Sequence, residues 1–169
     1  RIVDNIYQNW DLPNNTWKNY YRETAFTFDG SNNVLSLEFQ MPNGTTWDKN
    51  YKYNLVYALN NQPVQLTMQN WNGTSFVNDS RWINLTFENW CGWYCEGISI
   101  QTGTLQYWGS PQINQWNTAQ RVSNVYDAFG GSVETWQAYN GSTWINASRN
   151  SESYDNKFMY TGSHGESWS

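Results

Sequence analysis

The chain has 169 residues, a formal net charge of −5 and a sequence pI near 4.7; 18% of its residues are aromatic and only 14% are charged. Its nine Lys and Arg residues are scattered, which excludes the basic footprint of a nucleic-acid binder or of a protein held on anionic lipid. No run approaches the roughly 18 continuous apolar residues of a membrane-inserted helix, and a single domain is the expected size class.

The chain opens on Arg1 rather than Met and without a charged-then-apolar leader. The expectation is a secreted, extracellular product whose leader has been removed. Residues 1–12, RIVDNIYQNWDL, precede Pro13 and place Ile2, Ile6 and Trp10 at alternating positions. Such a segment either forms the first strand of its own sheet or is donated to the open sheet edge of a neighbouring copy.

Beyond it, short runs with period-two alternation follow one another, separated by turn residues: ETAFTFD (23–29), VLSLEFQM (34–41), YKYNLVYAL (51–59), PVQLTMQNW (63–71), RWINLTFE (81–88), ISIQTGTLQYW (98–108), SVETWQAY (132–139) and KFMY (157–160). In VLSLEF, Val34, Ser36 and Glu38 point one way and Leu35, Leu37 and Phe39 the other, the pattern of a strand with one buried face. No window of a dozen residues carries the 3.6-residue helical period. The expected fold is all-β, a single antiparallel β-sandwich or jelly-roll-like domain of about ten strands over residues 13–161. Residues 162–169 are expected to form a flexible or extended tail.

Residues 67–81, TMQNWNGTSFVNDSR, and 135–149, TWQAYNGSTWINASR, match in kind at nearly every position. Asn-Gly favours a two-residue hairpin turn because both central residues tolerate positive φ. The expected pairs are Trp71 with Thr74 and Met68 with Val77 in one hairpin, and Tyr139 with Ser142 and Trp136 with Ile145 in the other. Two copies fall short of a solenoid, so they read as equivalent hairpins of one sandwich.

Asn-x-Ser/Thr acceptor patterns for N-linked glycans occur at Asn14, Asn43, Asn72, Asn78, Asn84, Asn140 and Asn146, against roughly four expected by chance from the composition. Four of them lie at or beside expected turns, where a glycan reaches solvent. Cys91 and Cys95 in CGWYC suit a local disulfide in an oxidising compartment, with Gly92 easing the turn. A lone His and no second ligand pair leave no metal site, and no cofactor is expected. His164, with Ser163, Ser167 and Glu166 around it, lies near the chain end, where a catalytic triad is seldom built. Enzymatic activity is therefore not the leading expectation. Trp71, Trp108, Trp116 and Trp144 lie near expected turns and could offer a lectin-like sugar platform, with core and cross-strand packing as the alternative use of tryptophan.

GISIQTGT at 97–104, following NWCGWYC, resembles the strand of the glutamic peptidases (eqolisins) that carries their catalytic glutamine. The resemblance implies an acid-active β-sandwich in which Gln101 orients the attacking water and a glutamate acts as general base. Glu134 in SVETW is the nearest candidate and does not match the family's glutamate motif. The alternative reading of this stretch is a buried strand with a bulge at Gly103.

The whole chain, rich in Asn, Tyr, Trp, Ser and Thr, poor in Lys, acidic and studded with acceptor sites, looks like the N-glycosylated subunits of the thread-like extracellular filaments of thermoacidophilic archaea. That resemblance implies a homopolymer built by β-strand addition, with the chain itself and its covalent glycans as partners and with Ile2, Ile6 and Trp10 at the subunit interface.

Overall fold

A computed structural model describes residues 3–87, 100–109, 114–128, 130–157 and 159–168. Among them are eleven strands and one short 3-10 turn, Leu12–Asn14: β1 (Asn5–Asp11), β2 (Thr16–Phe28), β3 (Val34–Asn43), β4 (Thr46–Tyr57), β5 (Pro63–Trp71), β6 (Phe76–Phe87), β7 (Ile100–Trp108), β8 (Trp116–Tyr126), β9 (Ser132–Tyr139), β10 (Trp144–Tyr154) and β11 (Tyr160–Ser167).

The all-β expectation holds, with one strand more than the count of about ten. The strands form a single antiparallel sheet whose order is the sequence order, β1 to β11, with no crossover. A jelly roll is wound from Greek keys, whereas here every strand pairs with its predecessor in the chain. The stretch expected to be a tail contributes β11, paired along β10 from Ser148↔Ser167 to Tyr154↔Tyr160. β8, with the mixed sequence WNTAQRVSNVY, carries too weak an alternation to stand out in the sequence, and its partners β7 and β9 fix it in place.

The chain divides into two compact units, Arg1–Ser80 and Arg81–Ser169. In the first, Val34, Leu37, Phe39 and Leu55 are buried, Leu37 completely. β3 does not have one wet face: Val34 and Ser36 on one side and Leu37 and Phe39 on the other are all buried, and Leu35 is the exposed residue between them. The Ser36 hydroxyl is satisfied at 2.8 Å by Thr27 across the ladder, which makes burial of that polar side chain tolerable.

An aromatic ladder crosses the first four strands. Tyr7 stacks on Tyr21 with centroids 4.1 Å apart, and Phe39 stacks on Tyr51 at 4.4 Å and meets Tyr53 edge-on at 5.4 Å. Each such pair adds about 0.5–1.5 kcal/mol beyond its buried area. Burial raises the phenols of Tyr21 and Tyr51 to about 12, helped by Tyr7 at the first and Tyr53 at the second, and by the Glu23 carboxylate at both.

In the second unit Leu85, Leu105 and Val122 are buried. Trp82 on β6 meets Trp136 on β9 edge-to-face at 5.8 Å, and the Trp82 ring lies against Gly103 on β7. A Cβ at Gly103 would stand 3.0 Å from both the Trp82 ring and Leu85 Cδ2. The β7–β8 ladder has no bulge at Gly103: Thr102, Gly103 and Thr104 pair in regular register with Ser123, Val122 and Arg121, and the irregularity falls between Leu105 and Gln106. Glycine serves close approach of a ring here, not a kink.

Candidate functional site: hairpin ends and open edges

The Asn-Gly turns at Asn72 and Asn140 are built differently from the two-residue form. Tyr139 pairs with Trp144 and Ala138 with Ile145, so Asn140–Thr143 form a four-residue loop, and Trp136 faces Ser148 instead of Ile145. Asn140 is the cause. Its Oδ1 accepts the backbone N–H groups of Ser142 at 3.0 Å and Thr143 at 2.9 Å, while its own N–H donates to the Thr143 carbonyl at 3.1 Å. Asn72 repeats this with Thr74 at 3.0 Å and Ser75 at 2.9 Å, so Trp71 meets Phe76, centroids 5.0 Å apart, and not Thr74. An amide that hydrogen-bonds its own turn stabilises the wider loop and leaves positive φ to the glycine, +98° at Gly73 and +97° at Gly141. At Asn43 the loop is two residues, Gly44 and Thr45, closed by Asn43↔Thr46.

The repeat noted at two places in the sequence runs through every hairpin at this end of the strands. An aromatic residue stands first or second in each second strand and a basic residue follows five positions later: Trp17 and Arg22, Trp47 and Lys52, Phe76 and Arg81, Trp116 and Arg121, Trp144 and Arg149. The rings pair across the hairpin as Trp10 with Trp17 at 5.2 Å, Trp108 with Trp116 at 4.8 Å and Tyr139 with Trp144 at 5.2 Å.

Cations then join successive hairpins. Arg22 lies over Trp47 at 5.9 Å, Lys49 over Trp71 at 4.8 Å and over Phe76 at 5.5 Å, Arg81 over Trp116 at 4.4 Å and Arg121 over Trp144 at 4.6 Å. A guanidinium on a ring contributes about 0.5–2 kcal/mol. The same guanidinium groups also donate through Nε to first-strand glutamines, Arg81 to Gln106 and Arg121 to Gln137, both at 2.7 Å. Each glutamine passes the bond on: Gln106 Nε2 to Thr118 at 3.0 Å and Gln137 Nε2 to Asn146 at 2.8 Å. Gln69 Nε2 donates to Asn78 and Gln8 Nε2 to Asn19, each at 2.9 Å. The five-fold unit is obscured in the sequence because Pro42 replaces an aromatic, Lys49 rather than Lys52 makes the ring contact, and a long insertion separates the third and fourth copies. The spacing of an aromatic five residues before a basic residue was the available signal.

At the opposite end, aspartates close the β2–β3 and β10–β11 hairpins. Asp29 Oδ1 accepts the N–H groups of Ser31 at 2.8 Å and Asn33 at 2.9 Å, and Asp155 Oδ1 accepts those of Lys157 at 2.8 Å and Met159 at 3.1 Å. The Asn33 amide holds the Asp29 carboxyl below its usual range.

The other sequence candidates fall as follows. Asn14, Asn43, Asn72, Asn84, Asn140 and Asn146 are exposed and Asn78 is half-buried. Cys91, Cys95 and Ile2 lie outside the described residues. Ile6 and Trp10 sit exposed on β1, which pairs with β2 of its own chain. Trp71, Trp108, Trp116 and Trp144 are half-buried members of the ring pairs. Gln101 is exposed on β7, while Glu134 on β9 accepts the Trp136 indole N–H at 2.7 Å. His164 and Glu166 lie on β11, 3.3 Å apart, and His164 and Ser163 border a shallow hollow of about 430 Å³ with Glu134 and Glu152. Among the described residues no group of three or more His, Cys, Asp or Glu is arranged to hold a metal, and no helix is long and apolar enough to cross a membrane.

Two strands have no neighbour on their outer side among the described residues, β1 and β11. Neither NIYQNWD nor YTGSHGES contains a Lys or a Pro, the residues that commonly guard an open edge against pairing.

No family model and no curated protein sequence matches the chain. Among solved structures, the chain is similar to a DUF3836 family protein from Bacteroides vulgatus (17% identity, 58% of this chain, 91% of that one, TM-score 0.44). It is also similar to a protein of unknown function from Bacteroides fragilis (12% identity, 76% of this chain, 89% of that one, TM-score 0.54). The second likeness is one of fold alone.

Proposed function

We propose that this chain is a non-catalytic structural subunit of an extracellular, N-glycosylated assembly that grows by β-strand addition at the edges of its sheet. The observation that carries the reading is the pair of unguarded edge strands, β1 with exposed Ile6 and Trp10 and β11 with exposed Tyr160. Exposed acceptor asparagines on the hairpin loops and a surface low in charge accord with an exterior location. The two-layer arrangement favoured by strand alternation then arises between subunits, with exposed Val56, Val125 and Ile145 as sheet-face contacts. Sedimentation velocity and negative-stain microscopy of the purified full chain test this. Concentration-dependent oligomers or filaments are expected; a monomer at every concentration removes the reading. Glycopeptide mass spectrometry of native material should find sugar on the loop asparagines Asn72 and Asn140.

A further inference from the structure

β11 carries the pattern of a first strand. Glu166, Ser167 and Trp168 stand where Gln8, Asn9 and Trp10 stand on β1 and where Gln137, Ala138 and Tyr139 stand on β9. The register agrees, since Arg149 faces Glu166 as Arg121 faces Gln137. In the two junctions of the second unit, a cation lies over the aromatic that leads the next second strand, and the glutamine beside that cation donates to a residue two positions beyond the same aromatic. At β11 the left half of such a junction is in place. Arg149 is exposed, Glu166 is opposite it, and Trp168 is 42% exposed.

We infer that the outer edge of β11 is a docking site for an extended strand patterned Trp-x-Asn/Thr-x-x-Arg/Lys, supplied by β2 of a second copy of this chain. The inference rests on the edge-addition reading and names its acceptor and donor. β2 carries Trp17, Asn19 and Arg22 in that pattern, and it is the copy of the pattern nearest an open edge, covered on that side by β1 alone. Trp17 is 60% exposed, and among the described residues no cation lies over it, unlike Trp47, Trp71, Trp116 and Trp144. Ring and cation are therefore complementary between copies: Arg149 covers Trp17, Trp168 takes the place of Trp10 against it, and Glu166 accepts from the Asn19 amide. β1 must leave its partner for this to happen. The Tyr7–Tyr21 stack and the two hydrogen bonds from Arg22 to Asp4, 2.7 and 2.8 Å, hold it, so the exchange between folded copies is slow.

A blocked peptide of residues 16–25, TWKNYYRETA, added to the full chain probes the edge without that barrier. It should bind, with affinity falling about tenfold for a Trp17→Ala peptide or for an Arg149→Ala chain, and largely retained for Arg149→Lys. Absence of binding, or equal binding of the Trp17→Ala peptide, overturns the docking site. A mixing experiment tests the second copy: Arg149→Ala and Trp17→Ala chains should each fail to assemble, and an equimolar mixture should give dimers, because each supplies the half the other lacks. Both side chains are exposed, and circular dichroism checks that the variants fold. An Arg149→Ala chain that assembles like the wild type, or peptide binding by a wild type that never assembles, overturns the second copy as occupant. The last result also removes the edge-addition reading while leaving the edge itself as a peptide site.

Discussion

At the scale of single residues, close approach and burial decide what each position tolerates. Gly103 is regular strand backbone with a tryptophan ring where its side chain would be, so Gly103→Val costs about 1–3 kcal/mol. Urea unfolding measures the loss, and near-UV circular dichroism reports displacement of the Trp82–Trp136 pair. Leu37 is the one fully buried large side chain among the described residues, and Leu37→Ala should cost about 2–5 kcal/mol. The phenols give a pH signature. Tyr21, Tyr51 and Tyr57 are raised to about 12 by burial, with the Asp29 carboxylate adding to it at Tyr57. Between the ordinary tyrosine value of 10.0 and about 12 the unfolded chain releases protons that the folded chain keeps, so stability falls with rising pH. Tyrosine absorbance should show these phenols titrating last, and the urea midpoint should decline as pH rises through that window. Gly103 was legible as a special position from the sequence, but its reason was not, since the ring that needs it comes from β6.

At the scale of elements, strand existence was largely legible and turn construction was not. Period-two alternation located β3, β4, β5, β7 and β9 because each packs side chains on the sheet, and that pressure writes itself into residue order. The Asn-Gly pairs correctly marked hairpins, yet loop length was set by a competition that the dipeptide does not display. An asparagine side chain that satisfies two backbone N–H groups offsets the longer loop, and the flanking rings gain each other as partners. Asn140→Ala removes those acceptors and should destabilise by about 1 kcal/mol, with Asn140→Asp restoring most of it; thermal unfolding of the three proteins checks this. β8 and β11 were poorly legible for a related reason. Their sequences are polar and Gly- or Asn-containing, and they are strands because β7, β9 and β10 supply hydrogen-bond partners.

At the scale of the whole molecule, a sheet of tandem hairpins draws its stability from neighbour upon neighbour. β1 and β11 each lack one neighbour among the described residues, and their amides should exchange with deuterium at least about tenfold faster than those of β3 and β8; mass spectrometry resolves the strands, and uniform protection would contradict the picture. Composition and alternation alone determined that the chain is all-β, acidic, poor in charge and built of hairpins, because these follow from local propensity and from how each strand hides its apolar residues. Only the tertiary structure decided that the strands run in one sheet in sequence order, that the aromatic and basic residues of successive hairpins form one repeating contact, and which strands lie at the edges of that order. Those facts depend on which strand lies beside which, and side chains such as Arg121 and Trp144 find each other across an intervening strand that no local pattern in the sequence records.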